Sequence, residues 1–119
     1  TLRRSSAASD VYKRQAEKGI AVNALWPRTA IATAAVQNHL GGDEIMKLSR
    51  NVDIMADAAY EILTKDSKLF TGNFCIDDLV LLEAGVKDFT KYAKVPFAEL
   101  MPDFFVPDDT PLPDEVKNS

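Results

Sequence analysis

The sequence predicts an α/β fold in which two parallel strands are joined by a helical, right-handed crossover. Three observations carry this expectation. Residues 20–26 form an apolar run that halts at Pro27, residues 52–64 have a helical apolar period, and residues 69–76 form a second run rich in aromatic and β-branched side chains. Pro27 decides how the first run is read. It lacks a backbone donor and biases the residue before it toward extended geometry, so the run is a strand that stops there. A buried strand that opens into a short polar loop and then a helix is half of an α/β unit, and in open α/β sheets ligands sit at such carboxyl strand ends.

Composition narrows the class. The chain has 119 residues, 46% hydrophobic and 27% charged, which suits one small globular domain. No apolar run approaches the roughly 20 residues needed to cross a bilayer, and the amino end lacks a signal-peptide core. With 14 basic and 18 acidic residues the net charge is −4, which gives no electrostatic footprint for nucleic acid. A single cysteine, Cys75, excludes an internal disulfide framework and a multi-cysteine zinc site, and fits a reducing compartment, with the cytoplasm as the default.

Residues 1–15 have neither helical nor strand periodicity, and their end, Ser-Asp-Val-Tyr-Lys-Arg-Gln, is similar to translated adapter sequence; they are expected to be a non-native or disordered leader. Residues 16–18 would close a helix with Gly19 as its left-handed cap, which makes the chain look truncated. Residues 29–40 are small and helix-compatible. Gly41-Gly42 ends that helix, and Asp43 is placed to cap a short helix over residues 44–49. These two helices read as a mobile flap. In the clearest helix, residues 52–64, Val52, Met55, Ala58, Ala59, Ile62 and Leu63 share one face, while Asp53, Asp57 and Glu61 lie on the other.

The second strand, closed by Asp77-Asp78, is followed by a short helix over residues 78–83 and a weaker one over residues 86–93 anchored by Phe89 and Tyr92. Residues 95–106 hold two prolines and three phenylalanines and are expected to pack as an irregular arm. Residues 107–119, rich in Asp, Pro, Thr and Glu, are expected to stay disordered. Residues 16–106 are thus the predicted folded part.

Strand, proline, small-residue loop, flap, amphipathic helix, then Thr71-Gly72 and a strand ending in Asp77 is an order that resembles the carboxyl end of short-chain dehydrogenases/reductases. The run Asn23-Ala24-Leu25-Trp26-Pro27-Arg28-Thr29-Ala30-Ile31 is most similar to their hydroxysteroid dehydrogenase-like subgroup. The resemblance implies the carboxyl-terminal part of a Rossmann-like, doubly wound parallel sheet, comprising its last two strands and their crossover helices. It implies an NAD or NADP cofactor, hydride transfer between a small-molecule alcohol and a carbonyl, and homo-oligomers built through the last helix and strand. In such enzymes the backbone after this strand, and a hydroxyl a few residues on, contact the nicotinamide carboxamide. Carried over, the cofactor-binding positions are Pro27, Ile31 and Thr33, with Thr29 a further candidate, and Trp26 and Arg28 fall on the substrate and lid side. Arg28 stands where the common pattern has glycine, and the spacing to Thr33 is one residue longer.

The resemblance places the phosphate-binding glycine turn and the catalytic Ser and Tyr-x-x-x-Lys before this strand. Tyr12, Tyr60 and Tyr92 are followed four residues later by Ala16, Thr64 and Pro96, so no tyrosine here has a lysine one turn on. There is no Gly-x-Gly-x-x-Gly either. The chain is therefore expected to hold no catalytic residue and to be inactive by itself. The alternative is a small non-enzymatic interaction module that binds a partner through its aromatic arm.

Other residues have plainer readings. His39 is a surface histidine rather than a base or metal ligand, and Cys75 a packed small hydrophobe. Trp26 packs on the following helix or shapes a substrate pocket. Arg28 either reaches a cofactor phosphate or substrate carboxylate through its planar fork, or is solvent-facing or ion-paired. Asp77-Asp78 ends the strand and caps a helix, and Phe97, Phe104 and Phe105 form a core cluster.

Overall fold

In a computed structural model, residues 13–15, 17–39 and 41–119 are described. Strand β1 (Ala24–Trp26) pairs in parallel with β2 (Phe74–Ile76), setting Ala24 opposite Phe74, Leu25 opposite Cys75 and Trp26 opposite Ile76. Between the strands lie α1 (Ala34–His39), α2 (Gly42–Lys47) and α3 (Asp53–Leu63), and β2 runs directly into α4 (Asp77–Glu83). The α/β expectation holds, with both strands shorter than the apolar runs that announced them. Asn23 shows why the pairing begins where it does: its Nδ2 donates to the Phe70 carbonyl at 3.1 Å, and its Oδ1 accepts from the backbone and side-chain nitrogens of Asn73, both at 3.0 Å.

The helix expected over residues 29–40 begins only at Ala34, because Thr33 caps it: its Oγ1 accepts from the Val36 amide at 3.3 Å. Leu40 lies outside the described residues. The next helix starts at Gly42, so Asp43 sits in its first turn and accepts from Gln37 Nε2 instead of capping. The preceding Gly41 has φ +139°, and a Cβ there would come within 2.2 Å of the Ile45 side chain. Gly19 has the expected positive φ of 75°, and the Ile20 amide returns to the Gln15 carbonyl at 2.9 Å. The first twelve leader residues lie outside the described part, whereas residues 13–15 are helical.

Ile54, Ala58, Leu81, Phe89, Tyr92 and Val116 form the core, with Leu25, Ile31, Met55 and Phe97 among those packed against it. Two expectations need correction. The buried stripe of α3 is centred on Ile54 and Ala58, and Val52 and Leu63, assigned to that stripe by period, are 50% and 82% exposed. Asp57 is not simply solvent-facing, since it accepts from the Tyr92 hydroxyl at 2.6 Å. Residues 107–119 are also folded. They end in α5 (Asp114–Lys117), whose Val116 is fully buried, and the Ser119 carbonyl accepts from the Phe97 amide at 2.9 Å. One valine in an acidic, proline-rich segment is a weak sequence signal, yet it closes the core. The weak helix over residues 86–93 is reduced to a 3-10 turn at Thr90–Tyr92, with Phe89 and Tyr92 buried as expected.

Candidate functional site

The site is built where β1 ends. Past Pro27 the chain runs extended. The Ala30 amide donates to the Met101 carbonyl at 2.8 Å, the Ala30 carbonyl accepts from Arg50 N–H at 3.0 Å, and Ala32 N–H donates to the Arg50 carbonyl at 2.8 Å. This parallel bridge of Ile31 with Arg50 uses the groups of Ala30 and Ala32, so the amide and carbonyl of Ile31 itself lie outside the pairing. On the other side Thr29 bridges antiparallel to Pro102. The loop is thus one strand of an irregular ribbon, flanked by the segment after α2 and by the arm.

These segments enclose a cavity of about 210 Å³. Pro27, Thr29, Ile31 and Thr33, all singled out from sequence, line it together with Ala30. Val36 and Ile45 cover it from α1 and α2, and Met101, Pro102, Asp103 and Phe104 close it from the arm. Most of the wall is apolar. The Thr29 hydroxyl donates to the Ala30 carbonyl at 3.1 Å, whereas Thr33 accepts the capping amide and keeps its own hydroxyl proton available.

Trp26 and Arg28 do not line the cavity. Trp26 stacks on Phe74 with centroids 5.7 Å apart, and its Nε1 donates to Asp103 Oδ2 at 2.7 Å; the same oxygen accepts from the Phe105 amide at 2.9 Å. Asp103 N–H donates to the Arg28 carbonyl at 3.0 Å. The arm is therefore tied down beside the strand end. Phe104 and Phe105, expected in a core cluster, are 78% and 73% exposed; only Phe97 turns inward. The clasp at Asp103 holds the backbone between them and leaves both rings at the surface, Phe104 at the cavity mouth.

Beneath the loop lies a buried charged group that the sequence reading missed. Asp78 Oδ2 accepts from Arg28 Nε at 2.7 Å and from Arg50 Nη1 at 2.9 Å, and Arg28 Nη2 donates to the Pro111 carbonyl at 2.7 Å. Asp77 Oδ1 accepts from the Arg28 and Asp78 amides at 3.2 and 2.7 Å. Both aspartates are 0% exposed, and the Arg50 guanidinium lies 5.5 Å from the Phe97 ring centroid and 5.9 Å from that of Phe89. Burial, and then the adjacent Asp78 charge, push the Asp77 carboxyl up to about 6, opposed by the two amide bonds and by Arg50. Among the described residues, Asp77 Oδ2, Asp78 Oδ1, and Nε and Nη2 of Arg50 have no partner. The Asp77-Asp78 pair thus starts α4 as expected, but Asp78 serves an ion-pair centre while Asp77 accepts backbone amides beside it. Sequence separations of 50 residues from Arg28 and 28 from Arg50 hid that pairing, and only the oddity of two acids closing an apolar strand pointed to it.

His39 is exposed, and burial raises the Cys75 thiol above its usual range, as their plain readings require. Among the described residues no cluster could hold a metal, and no helix is long and apolar enough to cross a membrane.

The first strand of this α/β unit is preceded by Asn23 and runs into Pro27 and a cavity-lining loop, its second ends in buried aspartates, and the chain is similar to short-chain dehydrogenases. A short-chain dehydrogenase from Mycobacterium thermoresistibile superposes with a TM-score of 0.75 at 47% identity, covering 94% of this chain and 39% of that one. The chain is also similar to hydroxysteroid dehydrogenase-like protein 2, being 54% identical to the Xenopus laevis protein over 103 residues. The human protein is 56% identical over 87 residues. These matches cover 87% and 73% of this chain but only 23% and 20% of the relatives, so the chain spans about a fifth of their length. No protein-family profile matches the sequence.

Proposed function

We propose that this chain supplies the nicotinamide-facing wall and the lid of an NAD- or NADP-dependent short-chain oxidoreductase acting between a small-molecule alcohol and its carbonyl. The supporting observation is that Pro27, Thr29, Ile31 and Thr33 converge on one cavity at the carboxyl end of β1. Its donor set suits a flat aromatic amide. Apolar walls would accept the ring faces, while the Ile31 backbone groups and the Thr33 hydroxyl would meet the carboxamide. When bound, the nicotinamide would give or take the hydride. The chain's own residues would hold the ring, exclude water through Val36, Ile45 and Met101, and keep the arm closed through Trp26, Asp103 and the Arg28 backbone. Proton transfer and phosphate binding fall to residues outside this sequence, which has no Tyr-x-x-x-Lys and no Gly-x-Gly-x-x-Gly.

The open edge of the two-stranded sheet at β2, beside a groove of about 450 Å³ between β2, α4 and residues 107–111, favours homo-oligomers formed through this side. Acidic charge and a lone buried thiol favour a cytoplasmic setting. The interaction-module reading would use Phe104 and Phe105, but Phe104 is part of the cavity wall, which favours a lid.

Titrating NADH into the ¹⁵N-labelled chain tests this reading. The expected result is weak binding, on the order of millimolar, with amide shifts concentrated at Ile31, Ala32 and Thr33. Micromolar affinity, or shifts confined to the groove beside β2, would overturn it.

A further inference from the structure

We infer that Asp78, which does not line the cavity, is the positioning residue that sets the geometry of its loop. One carboxylate oxygen, Oδ2, receives both Arg28 Nε and Arg50 Nη1, at 2.7 and 2.9 Å. Arg28 belongs to the loop that carries Ile31, and Arg50 to the segment paired beside Ile31. Arg50 brackets it directly, accepting from Ala32 and donating to Ala30, and Arg28 precedes it in the loop and accepts the arm's Asp103 amide. Arg28 also reaches the Pro111 carbonyl, so the same centre ties in the carboxyl-terminal segment.

Among the described residues no other carboxylate pairs with either guanidinium. Asp78 is 0% exposed and Arg50 is 0% exposed, so neither side chain can exchange this partner for water. The alternative acid, Asp77, bonds backbone amides and neither guanidinium. Among the described residues, two further nitrogens of Arg50 have no partner, so its orientation depends on the single bond to Asp78 and on the Phe89 and Phe97 rings. A shift at Asp78 is therefore carried through two rigid side chains into the backbone on both sides of the Ile31 amide. The functional meaning of that amide rests on the cofactor reading above; the mechanical link does not.

The test compares Asp78→Asn, Arg28→Lys and Asp77→Asn by amide spectra of the ¹⁵N-labelled chain, first alone and then with NADH. Asp78→Asn weakens both ion pairs, and the expected result is displaced Ile31, Ala32 and Asp103 amides while those of α3 stay in place. NADH affinity should fall roughly tenfold, as expected for a misplaced contact. Arg28→Lys keeps the charge but loses the fork, and should displace Asp103 more than Ile31; it gives the reading if Asp78→Asn fails to fold. Asp77→Asn keeps the oxygen that accepts the two amides and should leave Ile31 unmoved. Unshifted Ile31 and Ala32 amides in Asp78→Asn, or equal shifts in Asp77→Asn, would overturn the inference. Wild-type chain that ignores NADH would instead remove the cofactor reading and leave the amide comparison decisive.

Discussion

Helix α3 and the loop at residues 27–33 make opposite use of their sequence. The helix has the strongest periodic signal in the chain, yet Tyr60 and Leu63 on it and Val52 at its cap are exposed, and only Ile54 and Ala58 are fully buried. The loop has almost no periodic signal, yet Thr29 is 2% exposed and Arg28 8%. A helical period fixes that an apolar stripe exists, while the partner fixes which part of it is buried; here that partner includes Leu81 of α4 and Val116 of α5. The loop is held by specific polar ties, backbone pairing on both sides and ion pairs beneath. Its position therefore depends on a few residues that sit far away in sequence.

If that contrast is right, the largest effect comes from breaking the polar centre. Arg50→Met leaves Asp78 with one partner in a buried site and should destabilise the chain by about 3–5 kcal/mol, read as a lowered urea midpoint. Ile54→Ala, in the apolar region, should cost about 2–5 kcal/mol through lost burial and a residual cavity, but without moving the Ile31 amide. A change that disturbs the loop equally would erase the distinction between the two regions.

The next effect depends on pH. The Asp77 carboxyl is raised from 3.8 when free to about 6 in the fold, so the fold binds its proton more tightly than the unfolded chain does. Its contribution is fully present below about pH 3.8 and is lost as pH rises through about 6. The shift corresponds to a fall of up to about 3 kcal/mol across that window. Asp77→Asn should flatten this part of the stability profile, measured by urea unfolding at several pH values. A wild-type profile that climbs through this window with the same slope in Asp77→Asn would show that the group does not act this way. The smallest effect is expected at Leu63→Ser, on the exposed face of α3, within about 0.5 kcal/mol.

How much was legible follows from the same physics. The α/β class and the strand stop at Pro27 were readable because backbone chemistry and local order carry them, whereas Pro27, Thr29, Ile31 and Thr33 were singled out as a set only through the family resemblance. The arm's share of the cavity, the burial of Val116 and the convergence of Arg28 and Arg50 on Asp78 were not. Each is a contact between segments remote in sequence, and neither propensity nor period encodes such contacts. Arg28 illustrates the limit: its planar fork was recognised as significant, but its partners, Asp78 and the Pro111 carbonyl, emerged only from the fold.

In the proposed function the loop after β1 receives the nicotinamide end of a dinucleotide. The most direct measurement compares nicotinamide mononucleotide with ADP-ribose, the two halves of the cofactor, by amide shifts in the labelled chain. Nicotinamide mononucleotide is expected to shift Ile31, Ala32 and Thr33 while ADP-ribose leaves them in place. Equal shifts from ADP-ribose, or nicotinamide mononucleotide shifts confined to the groove beside β2, would contradict it.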